Sequence, residues 1–451
     1  MISFLSLTES QMLEHSFAWC LAKQQARGVW VDQAMLRRLT GALMYEREKL
    51  RKSWEAYAPY TRRHEHATDK AVADWEAASG RGWFEEYETP KTHKFRARFV
   101  SFNPGSRSHL IRLLKERYAW KPRAKTETGL PRLDEGVLKD LTEWSEAKLA
   151  LEQMLIQKRL GQVAEGPESW VKHLGPDGRI HGRVNHNGTV TGRCVHSAPN
   201  TANVPAVDAP WGAECRAVFA APGGYLMVGA DASSLELRCL AHYMAQWDKG
   251  EYAKVVLEGD IHAVNQEIMG LPTRQLSKLV FYATCYGASD KKLSAIIGGN
   301  GGKARAKLMR GLPAFGALVS AVRRSAERGY LYGLDGRRLR VRSPHSALNT
   351  LLQSAGALVM KKATVMVREA LLEQGLVEGV DDALRPLAEG TYDFAQVLHV
   401  HDEIQFEVRE GSEENIGREA VKAIHRAGQS FGFRCPLDGE WKVGQSWAET
   451  H

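Results

Sequence analysis

Two aspartates and one helical stripe carry most of the chemistry open to this 451-residue chain. Asp231 ends the apolar run Tyr225-Leu-Met-Val-Gly-Ala230, and Asp402 closes Val397-Leu-His-Val-His401. Each run has strand length. Two carboxylates at strand ends can hold two Mg²⁺ ions, which stabilise the attacking and leaving oxygens of phosphoryl transfer. Taken singly, an aspartate at a strand end is more often a turn or cap residue. Arg274, Lys278 and Tyr282 recur every four residues, which on a helix makes one stripe about 12 Å long. Two cations and a flat ring suit a nucleoside triphosphate: charges for the phosphates, a face for sugar and base. By spacing alone the stripe also reads as a solvated basic helix edge with a core tyrosine. Gly298-Gly-Asn-Gly-Gly-Lys303 is one position off the P-loop spacing, and Ala304 stands where a Ser or Thr would bind Mg²⁺, so it reads as a flexible turn. His399 and His401 alternate on one strand without a third ligand, and read as ordinary strand residues.

The elements that must position these groups follow from periodicity. Ile404, Phe406 and Val408 alternate with Glu403, Gln405 and Glu407, the pattern of a half-buried strand paired through a tight turn with Val397–Val400. A long helical region runs from Ser233 to about Arg328. The first 55 residues read as two helices, His15–Lys23 and a second capped by Asp32 and reaching about Trp54. Residues 55–98 lose the pattern, mix aromatics with charges and turn residues, and read as an insertion. Helical patterning resumes over Ser106–Trp120 and Glu135–Gly161. Between about 176 and Pro222 the texture is Gly, Asn, Pro and short β-like runs.

Composition narrows the class. Apolar residues make up 43 % and charged residues 25 % of the chain, as in ordinary globular proteins. No stretch approaches the ~18 apolar residues of a membrane span. The N-terminus resembles neither a signal nor a transit peptide. The six cysteines lie far apart with no C-x-x-C pair, so they read as reduced thiols of a cytosolic protein, with no zinc or disulfide framework. The net charge of +8 is unevenly placed. Residues 91–132 hold twelve Lys/Arg against Glu116 and Glu127, and Arg323–Arg342 holds seven Arg against Glu327 and Asp335, whereas 373–414 is acid-rich. Basic blocks beside an acidic centre suit a protein that holds a polyanion and gathers divalent cations.

The ordered motifs resemble those of the family A DNA polymerases. Asp231-Ala-Ser-Ser-Leu-Glu236-Leu-Arg is similar to the family's motif A, Arg274-x3-Lys278-x3-Tyr282-x3-Tyr286-Gly287 to motif B, and Val400-His401-Asp402-Glu403 to motif C. Thr191-Gly-Arg193, Pro199-Asn200, Gly259-Asp-Ile-His262, Ser354-Ala-Gly356 and Trp447-x3-His451 fit the same pattern, which covers nearly the whole chain. The stretches Leu235–His242 and Arg342–Gly356 are most similar to the replicative branch of the T-odd phages.

The resemblance implies an α+β right-hand polymerase with a thumb, a palm built on an antiparallel sheet, and helical fingers. The thumb would be 1–166, with the insertion at about 55–98. The palm would be 167–236 and 344–451, and the fingers 237–343. It implies two Mg²⁺ ions on Asp231 and Asp402, helped by the Ala232 carbonyl. Arg274, Lys278 and His262 would hold the triphosphate, with Lys278 also donating a proton to the leaving pyrophosphate. Tyr282 would stack under the incoming nucleotide, and Glu236 would crowd its 2′ position. Arg193, His345, Asn349, Gln353 and His401 would lie along primer–template DNA. The activity implied is template-directed extension of a primer 3′-OH with dNTPs, in the cytoplasm of a host cell. The chain starts at the thumb, so it is expected to lack 3′→5′ proofreading, which a separate exonuclease protein would supply. The insertion occupies the place where the phage relatives bind thioredoxin, so a thioredoxin-like processivity factor is the expected partner there. The chain is otherwise expected to be a monomer, away from membranes. Two other readings are a single-subunit RNA polymerase, which the carboxylate of Glu236 opposes, and an inactive nucleic-acid-binding subunit. Retention of Asp231, Asp402, Arg274 and Lys278 together opposes the second.

Overall fold

The computed structural model describes residues 8–90, 92–122 and 124–451. Lys91 and Arg123 of the basic run lie outside the described residues. The chain forms two compact units: the residues up to Met35 with His173–His451, and Leu36–Lys172. Among the described residues, no helix is long and apolar enough to cross a membrane.

The larger unit is built on a four-stranded antiparallel sheet with spatial order Phe394–Val400, Glu403–Arg409, Tyr225–Ala232, Gly439–Gly444. The expected hairpin is present, with its turn at His401-Asp402. His401 has φ +58°, a left-handed conformation that costs a non-glycine residue energy. The half-buried expectation for Glu403–Arg409 is corrected: both faces are buried. The polar face carries Glu403 at 4 %, Gln405 at 1 % and Glu407 at 0 % exposure. Burial of these groups is compensated by partners. Glu407 bonds Arg27, Arg179 and the Tyr392 hydroxyl, so the alternation separates an apolar layer from an ion-paired one. Gly229 has a close-approach role. A Cβ there would stand 2.5 Å from the Thr450 carbonyl oxygen, so glycine admits the C-terminal segment onto the sheet.

Two helices complete this core. Ala347–Glu373 is buried on most of its circumference, and Glu413–Ser430 buries Ile416, Ala420, Ala423, Ile424 and Ala427 at helical spacing. The helix Glu9–Arg27 belongs to this unit. Its Leu13, Phe17, Cys20 and Leu21 pack with Leu358 and Val365, so the second compact unit starts at Leu36 rather than at the N-terminus. Asp32 caps the next helix, Gln33–Glu55, accepting from the N–H groups of Ala34 and Met35. The region after Ser233 is helical throughout, in short segments from Leu235–Asp248 to Pro313–Ala326. Only Gly298–Asn300 of the glycine-rich stretch is a turn. Asn300 caps a helix that starts at Gly301. None of the six cysteines forms a disulfide.

The smaller unit packs Trp54, Leu110, Leu113, Leu114, Leu138 and Ala150 into its own core. The patternless stretch contains a helix, Asp69–Ala77, and a hairpin, Gly82–Glu88 with Phe95–Ser101. Large residues on both faces, with only Trp83, Ala97 and Phe99 among its hairpin side chains buried, hide the alternation that marks a strand. The basic run is partly neutralised within this unit. Arg98 and Arg112 meet Glu85, Arg117 meets Glu146, and Arg132 meets Asp134.

Candidate active site

The antiparallel register brings the two aspartates to one end of the sheet. Glu403 lies opposite Asp231, and the Ala232 N–H donates to the Asp402 carbonyl at 3.0 Å. Asp231, Ala232, Glu236, Tyr282, Tyr286 and Asp402 line one open cavity of about 340 Å³. Neither aspartate side chain is taken up by a hydrogen bond or ion pair among the described residues. Desolvation in the cleft, then the charges of Asp402 and Glu403, push the Asp231 carboxyl from 3.8 up to about 7. Unpaired oxygen donors gathered at one place, with neighbouring negative charge raising the proton affinity of Asp231, suit a hard divalent cation such as Mg²⁺.

Behind them Glu403 is held from several sides. It accepts from Trp447 Nε1 at 2.6 Å, lies 3.0 Å from His451 Nδ1, and is 3.6 Å from Arg216, whose guanidinium covers the Trp447 ring at 4.3 Å. Burial alone would raise its carboxyl. The His451 bond and charge, with Gln405 and Arg216, hold it below the usual range instead. Glu403 is therefore a fixed anion beside Asp231.

The helix Arg274–Cys285 supplies the second wall. Thr273 caps it, and Ser277, Val280, Phe281, Thr284 and Cys285 bury one face. The other face carries Arg274 and Lys278, both exposed, and the half-buried Tyr282. Of the three, only Tyr282 lines the cavity. Lys278 and Arg274 stand about 6 and 12 Å further along the axis at ~1.5 Å per residue. His262 joins this group from the helix Ile261–Met269, its ring 5.8 Å from that of Tyr282. Burial, then Lys278 and Arg274, push its imidazole below its ordinary value. Its Nδ1 is buried without a partner. Glu236, raised chiefly by burial, accepts from the Tyr286 hydroxyl at 2.7 Å and leaves its other oxygen buried and unpartnered. Burial, then Glu236, push the Tyr282 hydroxyl up to about 12. Gly287, at φ +77°, lets the next turn pass under His345, whose carbonyl a Cβ would meet at 2.0 Å.

The remaining residues lie on an adjoining surface. Arg193, His401 and Ala357 line one small depression with His399 and Lys361. Asn349 and Gln353 precede Ala357 at four-residue spacing, all three half-buried on one helix stripe. Asn349 Oδ1 is buried and unpartnered. His345 is exposed on the short turn before that helix. His399 is buried, against Thr364 and the Phe17 ring, as an ordinary strand histidine.

Two positioning contacts escaped the reading of the sequence. Asp260 caps the Ile261–Met269 helix and also accepts from Arg274 Nε at 2.5 Å. The Tyr286–Glu236 bond links residues 50 positions apart. An aspartate one residue before a helix signals a cap, but nothing in its spacing signals the second bond.

An antiparallel sheet with paired carboxylates at one end, walled by a helix that carries cations, defines a nucleotide-polymerase class of α+β fold. Residues 84–449 match the profile described as DNA polymerase family A. The chain is 36 % identical over 510 residues to the DNA-directed DNA polymerase of Escherichia phage T7, covering 98 % of this chain and 70 % of the relative. It is 41 % identical over 384 residues to the DNA-directed DNA polymerase of Enterobacteria phage T3, covering 78 % of this chain. The match spans about half the length of that phage T3 relative, 53 %. The chain belongs to DNA polymerase family A. Among solved structures, the POL domain of Pol1 from M. smegmatis, in complex with DNA primer-template and dNTP, shares the fold with a TM-score of 0.75. That match has 22 % identity and covers 98 % of this chain and 71 % of the other.

Proposed function

We propose that this chain is a template-directed DNA polymerase that extends a primer 3′-OH with dNTPs and releases pyrophosphate. The observation that carries the proposal is the meeting of Asp231 and Asp402 in one cavity with Glu236 and Tyr282. In this reading Asp231, Asp402 and the Ala232 carbonyl hold two Mg²⁺ ions. When bound, the ions offset the negative charge on the attacking and leaving oxygens. Tyr282 places the nucleotide's sugar and base at the cavity. Arg274, Lys278 and His262 hold its phosphates, and Lys278 protonates the departing pyrophosphate. Glu236, fixed by Tyr286, fills the space a ribose 2′-OH needs. Arg193, His345, Asn349, Gln353 and His401 grip primer–template DNA. The thumb is 1–166, with its 55–98 region receiving a processivity partner, the palm is 167–236 with 344–451, and the fingers are 237–343.

We propose that 3′→5′ proofreading is supplied by a separate exonuclease protein; a labelled single-stranded oligonucleotide should then survive incubation of this chain with Mg²⁺ and no dNTPs.

Primer extension on a defined template, with dNTPs or rNTPs, tests the function. Extension with dNTPs and strong rejection of rNTPs is the expected result, with Glu236→Ala admitting rNTPs. Equal use of rNTPs by the unmodified chain favours the RNA-polymerase reading, and no extension with intact DNA binding favours an inactive subunit.

A further inference from the structure

The smaller unit contains a cluster that polymerisation does not use. His64 and His66 lie on the segment before the helix Asp69–Ala77, and Glu86 lies on the first hairpin strand. The backbone sets their meeting. Ala97 of the second hairpin strand pairs with Glu86 on one side, and on the other its N–H donates to the His66 carbonyl at 2.7 Å. Thr68 N–H donates back to the Ala97 carbonyl at 3.3 Å, so the histidine segment runs along the free edge of the hairpin. The rings rest on hairpin aromatics, His64 at 5.9 Å from Phe84 and His66 at 6.4 Å from Phe95.

The result is a convergent set of ligand atoms. His66 Nδ1 is 2.6 Å and His64 Nε2 is 3.9 Å from the same oxygen, Glu86 Oε1. One ligand atom from each of the three residues lies within 4.8 Å of the others. Tetrahedral Zn²⁺ with bonds of ~2.0–2.1 Å sets its ligand atoms about 3.3 Å apart, a spacing that the two observed distances bracket. We propose that His64, His66 and Glu86 form a binding site for a divalent transition metal of the zinc class, with water as the fourth ligand. Two imidazoles and one carboxylate select Zn²⁺ or Co²⁺ over Mg²⁺, which prefers oxygen donors.

Two local contacts must change. The 2.6 Å hydrogen bond from His66 Nδ1 to Glu86 opens, and the ring proton moves to Nε2 as the metal takes its place on Nδ1. The His66 N–H donates to His64 Nδ1 at 3.2 Å, so the His64 ring proton sits on Nε2. Metal binding at Nε2 moves that proton to Nδ1 and gives up this long hydrogen bond. In return the metal clamps the segment around His64 to the hairpin edge, an ordering role for the insertion rather than a catalytic one.

The test uses the full chain after stripping by a chelator, with Zn²⁺ measured by competition against a chromophoric chelator and Co²⁺ by its visible spectrum. The proposal expects one Zn²⁺ bound per chain in Asp402→Asn, whose sheet-end site is weakened, and intense tetrahedral Co²⁺ bands. His66→Asn and Glu86→Gln should each weaken Zn²⁺ by at least about tenfold, and His64→Asn/His66→Asn should abolish the Co²⁺ bands. All three side chains are partly or largely exposed, so the variants should fold, as unchanged circular dichroism will verify. Zn²⁺ should slow amide exchange in 60–68, 82–88 and 95–101 of the unmodified chain and leave the double variant unaffected. Affinity weaker than about 100 µM, or Zn²⁺ binding and exchange that the substitutions do not alter, would overturn the proposal.

Discussion

The sheet end and the helix Arg274–Cys285 both carry charge toward one cavity, and they hold it in opposite ways. At the sheet end Glu403 is bonded by Trp447 and His451, and four residues along the same strand Glu407 is held by Arg27 and Arg179. Asp231, which stays unpaired, is placed by a seven-pair ladder of backbone register, and the unpaired Asp402 by the turn that leads into it. On the helix, the cations Arg274 and Lys278 stand in solvent, and the one fixed contact is an exposed pair with Asp260. A buried, multiply bonded site has few alternative arrangements, whereas an exposed ion pair is worth little and exchanges readily. The difference matches the two tasks proposed. Metal positions must be preset to a fraction of an ångström. A triphosphate must enter and leave, so its receptors must be free to trade partners.

The largest effect should come from breaking the rigid side. Asp231→Asn or Asp402→Asn removes a ligand from the paired centre, with a loss of several kcal/mol of transition-state stabilisation, or at least about a thousandfold in kcat/KM. Primer–template Kd should change little. Near-normal turnover in Mg²⁺ by either variant would remove the sheet end from the chemistry. Proton competition follows from the same geometry. With the Asp231 carboxyl at about 7 before metal binds, Mg²⁺ must displace a proton below that pH. The Mg²⁺ concentration for half-maximal rate should therefore rise up to about tenfold between pH 7 and pH 6. A flat response would deny that Asp231 is the titrating ligand.

The mobile side should respond differently. Arg274→Ala should raise KM for dNTPs about ten- to a hundredfold, the range of one or two charge-assisted hydrogen bonds, with a smaller change in kcat. Asp260→Asn frees Arg274 from its exposed partner and should shift KM far less. Should Arg274→Ala cost as much kcat as Asp402→Asn, the helix would be part of the preset centre and the contrast would fail.

Much of this contrast is legible in the sequence, and the reasons it is partly hidden are physical. The aspartates end runs of strand length, and Arg274, Lys278 and Tyr282 keep helical spacing, so local pattern offers both walls as candidates beside the readings of turn residue and solvated helix edge. Their family resemblance then orders them. Local pattern cannot find that Glu403 and Glu407 are buried. An alternating polar face looks solvated until Arg27, Arg179, Trp447 and His451 arrive from distant parts of the chain. It also missed the Tyr286–Glu236 bond, which depends on two helices meeting. In the smaller unit the hairpin was invisible because Trp83, Phe84, Tyr87, Phe95 and Phe99 give both faces similar bulk. The basic run there looked uniform because Glu85 and Glu146 meet it only after folding.

Where the two walls touch, at Tyr282, the effect should be moderate and selective. A dideoxynucleotide lacks the 3′-OH, and the Tyr282 hydroxyl can occupy the vacant polar position. Tyr282→Phe leaves that position unmatched, and an unpaired buried polar group costs about 1–3 kcal/mol. Discrimination against ddTTP relative to dTTP should rise by roughly tenfold or more, with little loss of dTTP incorporation. If Tyr282 only fills the core between the walls, both substrates will suffer equally and the ratio of kcat/KM will not move.

The smallest effect tests whether held and free charges differ in the smaller unit as well. Lys94, Arg96 and Arg98 all lie on or next to the second hairpin strand, and all are exposed. Arg98 donates to Glu85 at 2.7 Å, so a DNA phosphate would have to compete with a carboxylate already in place. Among the described residues, ion pairs engage Arg98, Arg112, Arg117 and Arg132, and none engages Lys94 or Arg96. Each cation that neutralises a phosphate adds about 0.9 to the slope of log K against log salt. Lys94→Gln and Arg96→Gln should each flatten the slope for primer–template binding by up to about 0.9, while Arg98→Gln leaves it nearly unchanged. Slopes in all three variants equal to that of the unmodified chain would place the hairpin away from DNA. A loss at Arg98 as large as at Arg96 would show that its pairing with Glu85 gives way to a phosphate, and that the division between held and free charge does not extend beyond the cavity.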